Sequence, residues 1–366
     1  MENQDSEIAE LLRILKEGHM LSHPGINAHV KRALTTGDNN TLRAYLNRYP
    51  MILRQAELNI QQTEYRSLYT PFQLVDRDDA REFLSSGPLK LGYVNKHDDM
   101  FSIDFDELSL PVIVLGRVGG GKSHLNKYGL QQIVSDRRDF NMIIADLKKE
   151  YRHLLPGAAN LRVLTSDNVA INPLRVPDFI PINAYNLHFA KVFTRENWLV
   201  TTSENVLISA VKYLYQARGL YEGSRNWPTL RDLFNVIVKW QQSKKGFRYL
   251  DVLRWIENRL TPYAESDVFN CRSGIPDLVW RDENVVLEMD EGFSDNMYCF
   301  VVSHLAGLRY LYNKRLGLGG SKLRTLFNID EGRILFNANR NTKDFGESYI
   351  TEIITKTREF GIGFII

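Results

Sequence analysis

One stretch constrains this chain more than any other. The apolar run LPVIVLG at 110–116 passes into GRVGGGKS at 116–123, and a helix-forming stretch from Lys122 to Val134 follows. A strand that ends in Gly-x-x-x-x-Gly-Lys-Ser and opens into a helix is built to hold phosphate. Phosphate oxygens need several donors converging on a concave backbone, and side chains at Gly119, Gly120 and Gly121 would block that approach. The helix N-terminus adds its partial positive charge. Gly116, Arg117, Val118, Gly119, Gly120, Gly121, Lys122, Ser123 and His124 are the expected lining. Lys122 is expected to reach the β- and γ-phosphates of ATP, and the Ser123 hydroxyl to ligate Mg2+.

The rest of the chain sets this segment in an α/β frame. Residues 1–85 show helical periodicity at 7–17, 28–34 and 41–53 and read as a small helical module. Short β-prone runs follow, LKLGYV and MFSIDF, then the LPVIVLG run, which has the composition of a buried parallel strand. Further strands are expected at 142–145, 161–164, 285–289 and 324–329, with helices between them, so the expected fold is a RecA-like P-loop NTPase with a mainly parallel sheet over 86–366. Residues 178–283 interrupt it with a mainly helical insertion, in which Thr229 and Asp232 form a capping box before Leu233. The final run 362–366 reads as a core strand, so the ATPase domain is expected to be cut short at its C-terminus.

A phosphate loop does not by itself activate water; hydrolysis needs one carboxylate beside the metal and another beside the water. The run TLFNIDE supplies such a pair. Asp330 at the tip of an apolar strand is the candidate Mg2+ ligand, and Glu331 the residue that orients or deprotonates water. Asp146, after another strand, either supports the metal site or caps its own turn.

Composition narrows the alternatives. With 25% charged and 43% apolar residues, the chain is of globular type, and no run approaches the length of a membrane span. The net charge of +2 means that any nucleic-acid surface must be a local cluster. One exists between 212 and 259, where ten Lys or Arg face four Asp or Glu and Tyr213, Tyr215, Trp227, Trp240, Phe247, Tyr249 and Trp255 are interleaved. Lys244, Lys245 and Arg248 are its best phosphate contacts, while the aromatics equally suit the insertion's own core. Two cysteines without metal spacing, Cys271 and Cys299, fit a reducing cytoplasm and no zinc site. His124 and His153 have no partner at catalytic spacing.

Several segments resemble, in order, the HerA and FtsK group of ring ATPases, most closely those of conjugation and type IV secretion. LGYV with FSIDFDEL resembles the hairpin before the phosphate loop. Asp146-x-Lys148-x-Glu150-Tyr151 and the Asn172-Pro173-Leu174 that follows resemble the family's next segments. NVVLEMD precedes the Asp-Glu strand in both, and Arg358-x-Phe360-Gly361 resembles a late family motif. The helices at the N-terminus differ from the β-barrel typical of HerA proteins, and the Gln that senses γ-phosphate in the family would lie past Ile366. The resemblance implies ATP and Mg2+ as ligands, a hexameric ring of identical subunits with nucleotide at the boundary, and an Arg from the neighbouring copy. Arg358 is the candidate, against the alternative of a solvated helix-end arginine. It also implies two possible outputs: a motor that translocates or remodels DNA, or an ATP-dependent switch that drives a secretion partner or an effector nuclease.

Overall fold

The computed structural model describes residues 11–366 except 19, 23, 37–38, 49, 70–86, 94–99, 118, 136–139, 158–159, 244–248, 275–282, 290–291 and 337–346. The chain divides into two compact units, residues 1–84 with 94–99, and residues 85–93 with 100–366. In the first, a helical run at 11–17 and helices Pro24–Thr36, Asn39–Arg48 and Pro50–Tyr69 bury Leu15, Ile26, Val30, Leu42 and Leu46. The periodic run 41–53 is not one helix. Pro50 opens a new one, because a missing N–H is tolerated in a first turn and not in a helix interior.

In the second unit, β1 (Leu89–Tyr93) and β2 (Met100–Ile103) form an antiparallel hairpin. The apolar runs further on become β3 (Asn141–Asp146), β4 (Leu161–Leu164), β5 (Asn284–Glu288), β6 (Thr325–Ile329) and β7 (Ile362–Ile365). They form one sheet in the order β4-β5-β3-β6-β7, with every pairing parallel. Alternate residues enter two cores. Met142, Ile144, Val286 and Leu326 pack with Leu130 and Ile133 of helix Lys122–Ser135 and with Leu89 of the hairpin. Ile143, Ala145, Val285, Leu287, Phe327 and Ile329 pack instead with residues of helices Ile182–Glu196, Asp295–Arg315 and Tyr349–Thr357. Burial on both faces explains why these strands read as unbroken apolar runs.

The insertion contributes Thr202–Ala217, Leu230–Gln241 and Leu250–Glu265 to the second of these cores, and Thr229 with Asp232 completes the expected capping box. Glu196, fully buried at the end of its helix, accepts from Ser303 and Ser348 and from the Tyr349 and Ile350 N–H groups, so it caps helix Tyr349–Thr357 from another segment. No helix among the described residues is long and apolar enough to cross a membrane.

The run at 110–116 departs from expectation. It is parallel to β7, with Val112 N–H donating to Phe364 O at 2.8 Å and Val114 N–H to Ile366 O at 2.7 Å, but it is not buried. Ile113 is 63% and Leu115 87% exposed. The cause is the alternation of faces: Val112 and Val114 pack against the core that includes Leu130 and Ile133, while Ile113 and Leu115 point to the face that no described element covers.

Candidate nucleotide site

Val112, Ile365, Asn328 and Ile144 stand level across the sheet. Gly116 therefore lies four residues past that level, at the carboxyl edge. Gly119 and Gly121 have φ of +74° and +84°, and a Cβ on either would project into open space with nothing within 4 Å. That open concavity, lined by backbone, fits a polyphosphate. Lys122 Nζ donates to Gly116 O at 2.8 Å and Arg117 O at 3.1 Å, so an ammonium already sits over the loop. Ser123 is half-buried in the first helical turn and His124 is exposed. Val118 lies outside the described residues.

Asp146, Glu288 and Asp330 reach the same edge side by side, on β3, on β5 and just past β6. Their fates differ. Asp146 is fully buried and accepts the N–H groups of Lys148 and Tyr151 at 3.0 and 2.9 Å, which assigns it to capping its own turn. Glu288, also buried, is gripped by Arg152 through Nε at 2.9 Å and Nη2 at 2.5 Å. Of the three, Asp330 makes no ion pair among the described residues, though the Glu331 N–H and the Lys148 charge both act on its carboxylate. Burial raises its pKa, Lys148 opposes that rise, and Asp146 and Glu331 reinforce it. A partly desolvated carboxylate with no ion pair, surrounded by negative charge, suits a divalent cation. No cluster of three or more His, Cys, Asp or Glu able to hold a metal occurs among the described residues.

Glu331 follows in a left-handed turn, φ 54° and ψ 44°. Its carboxylate pairs with Lys148 and with Arg333 Nε, the latter at 2.8 Å, and these contacts, Lys148 foremost, hold its pKa below the usual range. The turn is anchored from behind by Tyr298 on helix Asp295–Arg315, whose hydroxyl donates to Asp330 O at 2.6 Å. Tyr151, pushed up to about 12 chiefly by burial, accepts from Asn126 of the phosphate-loop helix at 3.0 Å. Lys148, Arg152, Tyr298 and Arg333 carry no role in the motif reading. Only the Lys148 position had a sequence signal, its place in Asp-x-Lys-x-Glu-Tyr.

Arg358 is on the other side of the molecule's sheet. It precedes β7, which runs parallel to β6, so it lies at the amino edge, about 15 Å or more along the strands from the phosphate loop. It is exposed, in a turn closed by Gly361. In the insertion, Tyr215 is buried, while Tyr213, Tyr249 and Trp255 are 45%, 48% and 54% exposed. Lys244, Lys245 and Arg248 lie outside the described residues.

The parallel sheet, the glycine loop at its carboxyl edge and the acidic tip one strand removed, with β7 between, define a RecA-like P-loop nucleotide-binding fold. The chain belongs to the family described as Helicase HerA, central domain, which it matches over residues 89–305. Its structure is similar to that of VirB4 of Thermoanaerobacter pseudethanolicus, with a TM-score of 0.54, 18% identity, and 77% of this chain and 76% of that chain covered. It is also similar to the bacterial conjugative coupling protein TrwBdeltaN70. Against the unbound monoclinic form the TM-score is 0.51 at 14% identity, covering 79% of this chain and 68% of that one. Against the trigonal form in complex with sulphate the TM-score is again 0.51 at 14% identity, covering 80% and 70%. At these identities the likeness concerns the fold. No curated protein matches the chain by sequence.

Proposed function

We propose that this protein hydrolyses ATP as a motor of the HerA/FtsK kind, working as a ring of identical subunits on DNA. The observation that carries the ATP chemistry is the contrast among three adjacent carboxylates: Asp146 is held by two N–H groups of its own turn and Glu288 by Arg152, whereas Asp330, nearest the loop, has no ion pair among the described residues. In this reading the loop amides and Lys122 bind and orient the β- and γ-phosphates, which places the γ-phosphorus for in-line attack. Ser123 and Asp330 hold Mg2+, whose chemistry when bound is to neutralise charge on the bridging oxygens. Glu331 orients water and accepts its proton. Arg358 cannot serve its own loop from the opposite edge, so it serves the neighbour's, where its planar guanidinium neutralises charge on the γ-phosphate.

The family supports the DNA half, together with the exposed aromatics Tyr213, Tyr249 and Trp255 on a basic insertion. ATPase rates with and without DNA at several salt concentrations test it, with Lys122→Ala as the blank. Stimulation by DNA that weakens with salt supports the motor. Turnover indifferent to DNA contradicts it and favours a switch that drives a secretion or defence partner protein.

A further inference from the structure

The turn that carries Glu331 is held more firmly than its place at an edge requires. On one side the Asp330 N–H donates to Ala145 O at 3.0 Å, and its carbonyl accepts from the buried Tyr298. On the other, the short turn Gly332–Ile334 begins at once, with Ile334 N–H donating to Glu331 O at 2.9 Å. Between these anchors Glu331 adopts the left-handed conformation that side chains avoid. What this conformation gains is on the side chain: one carboxylate oxygen meets Lys148 Nζ, the other Arg333 Nε. Lys148 is presented from the facing turn in a comparable way, with its N–H bound to Asp146 and a left-handed Lys149, φ 58°, immediately after it.

A carboxylate that activates water must aim an oxygen at the water, and in this arrangement each Glu331 oxygen is aimed at a cation. The two cations are not equivalent. The Arg333 side chain is 82% exposed, so water competes for its pair, whereas Lys148 is 47% exposed and stands between Glu331 and Asp330. A triphosphate arriving in the loop brings several negative charges toward Asp330 and would compete with Glu331 for that flexible ammonium.

We propose that Lys148 is a positioning residue that parks Glu331 away from the attacking water, and that polyphosphate in the loop draws the ammonium off in only part of the nucleotide-bound molecules. This rests on the ATPase reading above. Lys148 touches neither the reacting atoms nor the metal in this scheme; it acts through Glu331.

The test is steady-state ATP hydrolysis with Mg2+ by the full chain as wild type, Lys148→Met, Lys148→Arg, Glu331→Gln and Lys148→Met/Glu331→Gln, with Lys122→Ala as the blank and thermal melts as the folding control. Parking predicts that Lys148→Met raises kcat about 3- to 10-fold while KM stays within about 2-fold, because only the posture of the base changes. Lys148→Arg keeps the charge and the restraint, and the gain vanishes when Glu331→Gln is added. If wild type turns over and folded Lys148→Met is no faster, parking is overturned and the ATPase reading stands. If wild type matches the blank but Lys148→Met exceeds it, parking is upheld as a near-complete block. If both match the blank, parking and the ATPase reading fall together.

Discussion

The two edges of the parallel sheet are built on opposite principles. The carboxyl edge is open and charged: a loop with glycines at positive φ, two non-glycine residues, Lys149 and Glu331, in left-handed conformations, and a partly buried carboxylate, Asp330, without an ion pair among the described residues. The amino edge is locked. Asn313 donates to Phe360 O at 2.8 Å, Gly320 N–H to Glu359 O at 2.9 Å and Arg324 N–H to Gly361 O at 2.7 Å, and a Cβ on Gly361 would lie 2.1 Å from Lys322 O. The adjoining helix is fixed by Glu196 at its start and by Glu352, which holds Lys191, Arg195 and Lys356. One edge leaves open space beside its glycines. The other anchors the backbone that carries the exposed Arg358. In the ring proposed above, these edges would be the two halves of a site that two copies complete.

Mutations can break this contrast, and the largest effect is expected at the receiving edge. Lys122→Ala should reduce ATP turnover by about 1000-fold or more, as expected when a phosphate-binding charge is lost. Arg358→Ala should lower kcat by about 100-fold or more in the assembled protein while leaving nucleotide affinity near wild type. Mixing it with Lys122→Ala subunits should restore part of the turnover, since each supplies the half the other lacks; no restoration would place Arg358 outside the site. Glu331→Gln should cost roughly 100-fold in kcat with binding retained, read by single-turnover kinetics beside equilibrium binding.

Smaller effects sharpen the amino edge. Gly361→Ala meets both a φ of 65° and the Lys322 carbonyl, and should destabilise by about 2–4 kcal/mol in urea unfolding. The least effect is electrostatic. Burial raises the Glu352 pKa, but Lys356, Lys191 and Arg195 outweigh it and bring the value from 4.5 down to about 2. A folded-state pKa below the unfolded one means that this contribution is complete above pH 4.5 and lost as the pH falls toward 2. Glu352→Gln should flatten the stability profile in that window, with a change at pH 7 of about 1 kcal/mol or less because the group is partly exposed.

Much of the receiving edge is legible in the chain because local chemistry dictates it. Three successive glycines before Lys-Ser admit the positive φ that Gly119 and Gly121 adopt, and TLFNIDE is a strand that must end where two acids begin. The capping box at Thr229 and Asp232 is visible for the same reason. What escapes is whatever depends on neighbours far apart in sequence. The apolar LPVIVLG reads as buried, but exposure follows from which of its faces other elements cover: Val112 and Val114 are packed, Ile113 and Leu115 are not. Tyr298 reads as one more aromatic in a buried helix until β6 brings Asp330 to its hydroxyl. Arg152 meets Glu288 only because β5 is inserted between β4 and β3 in the sheet. Asp146 could be read two ways from sequence, and its two backbone donors decide in favour of the turn cap.

The most direct test of the receiving edge is calorimetric titration of the full chain with ATPγS in the presence and absence of Mg2+. Wild type should bind, Lys122→Ala should bind at least about 100-fold more weakly, and Asp330→Ala should lose the strengthening that Mg2+ gives wild type. Equal affinity in wild type and a folded Lys122→Ala, or an Mg2+ effect unchanged by Asp330→Ala, would contradict a site made from the glycine loop and the tip of β6.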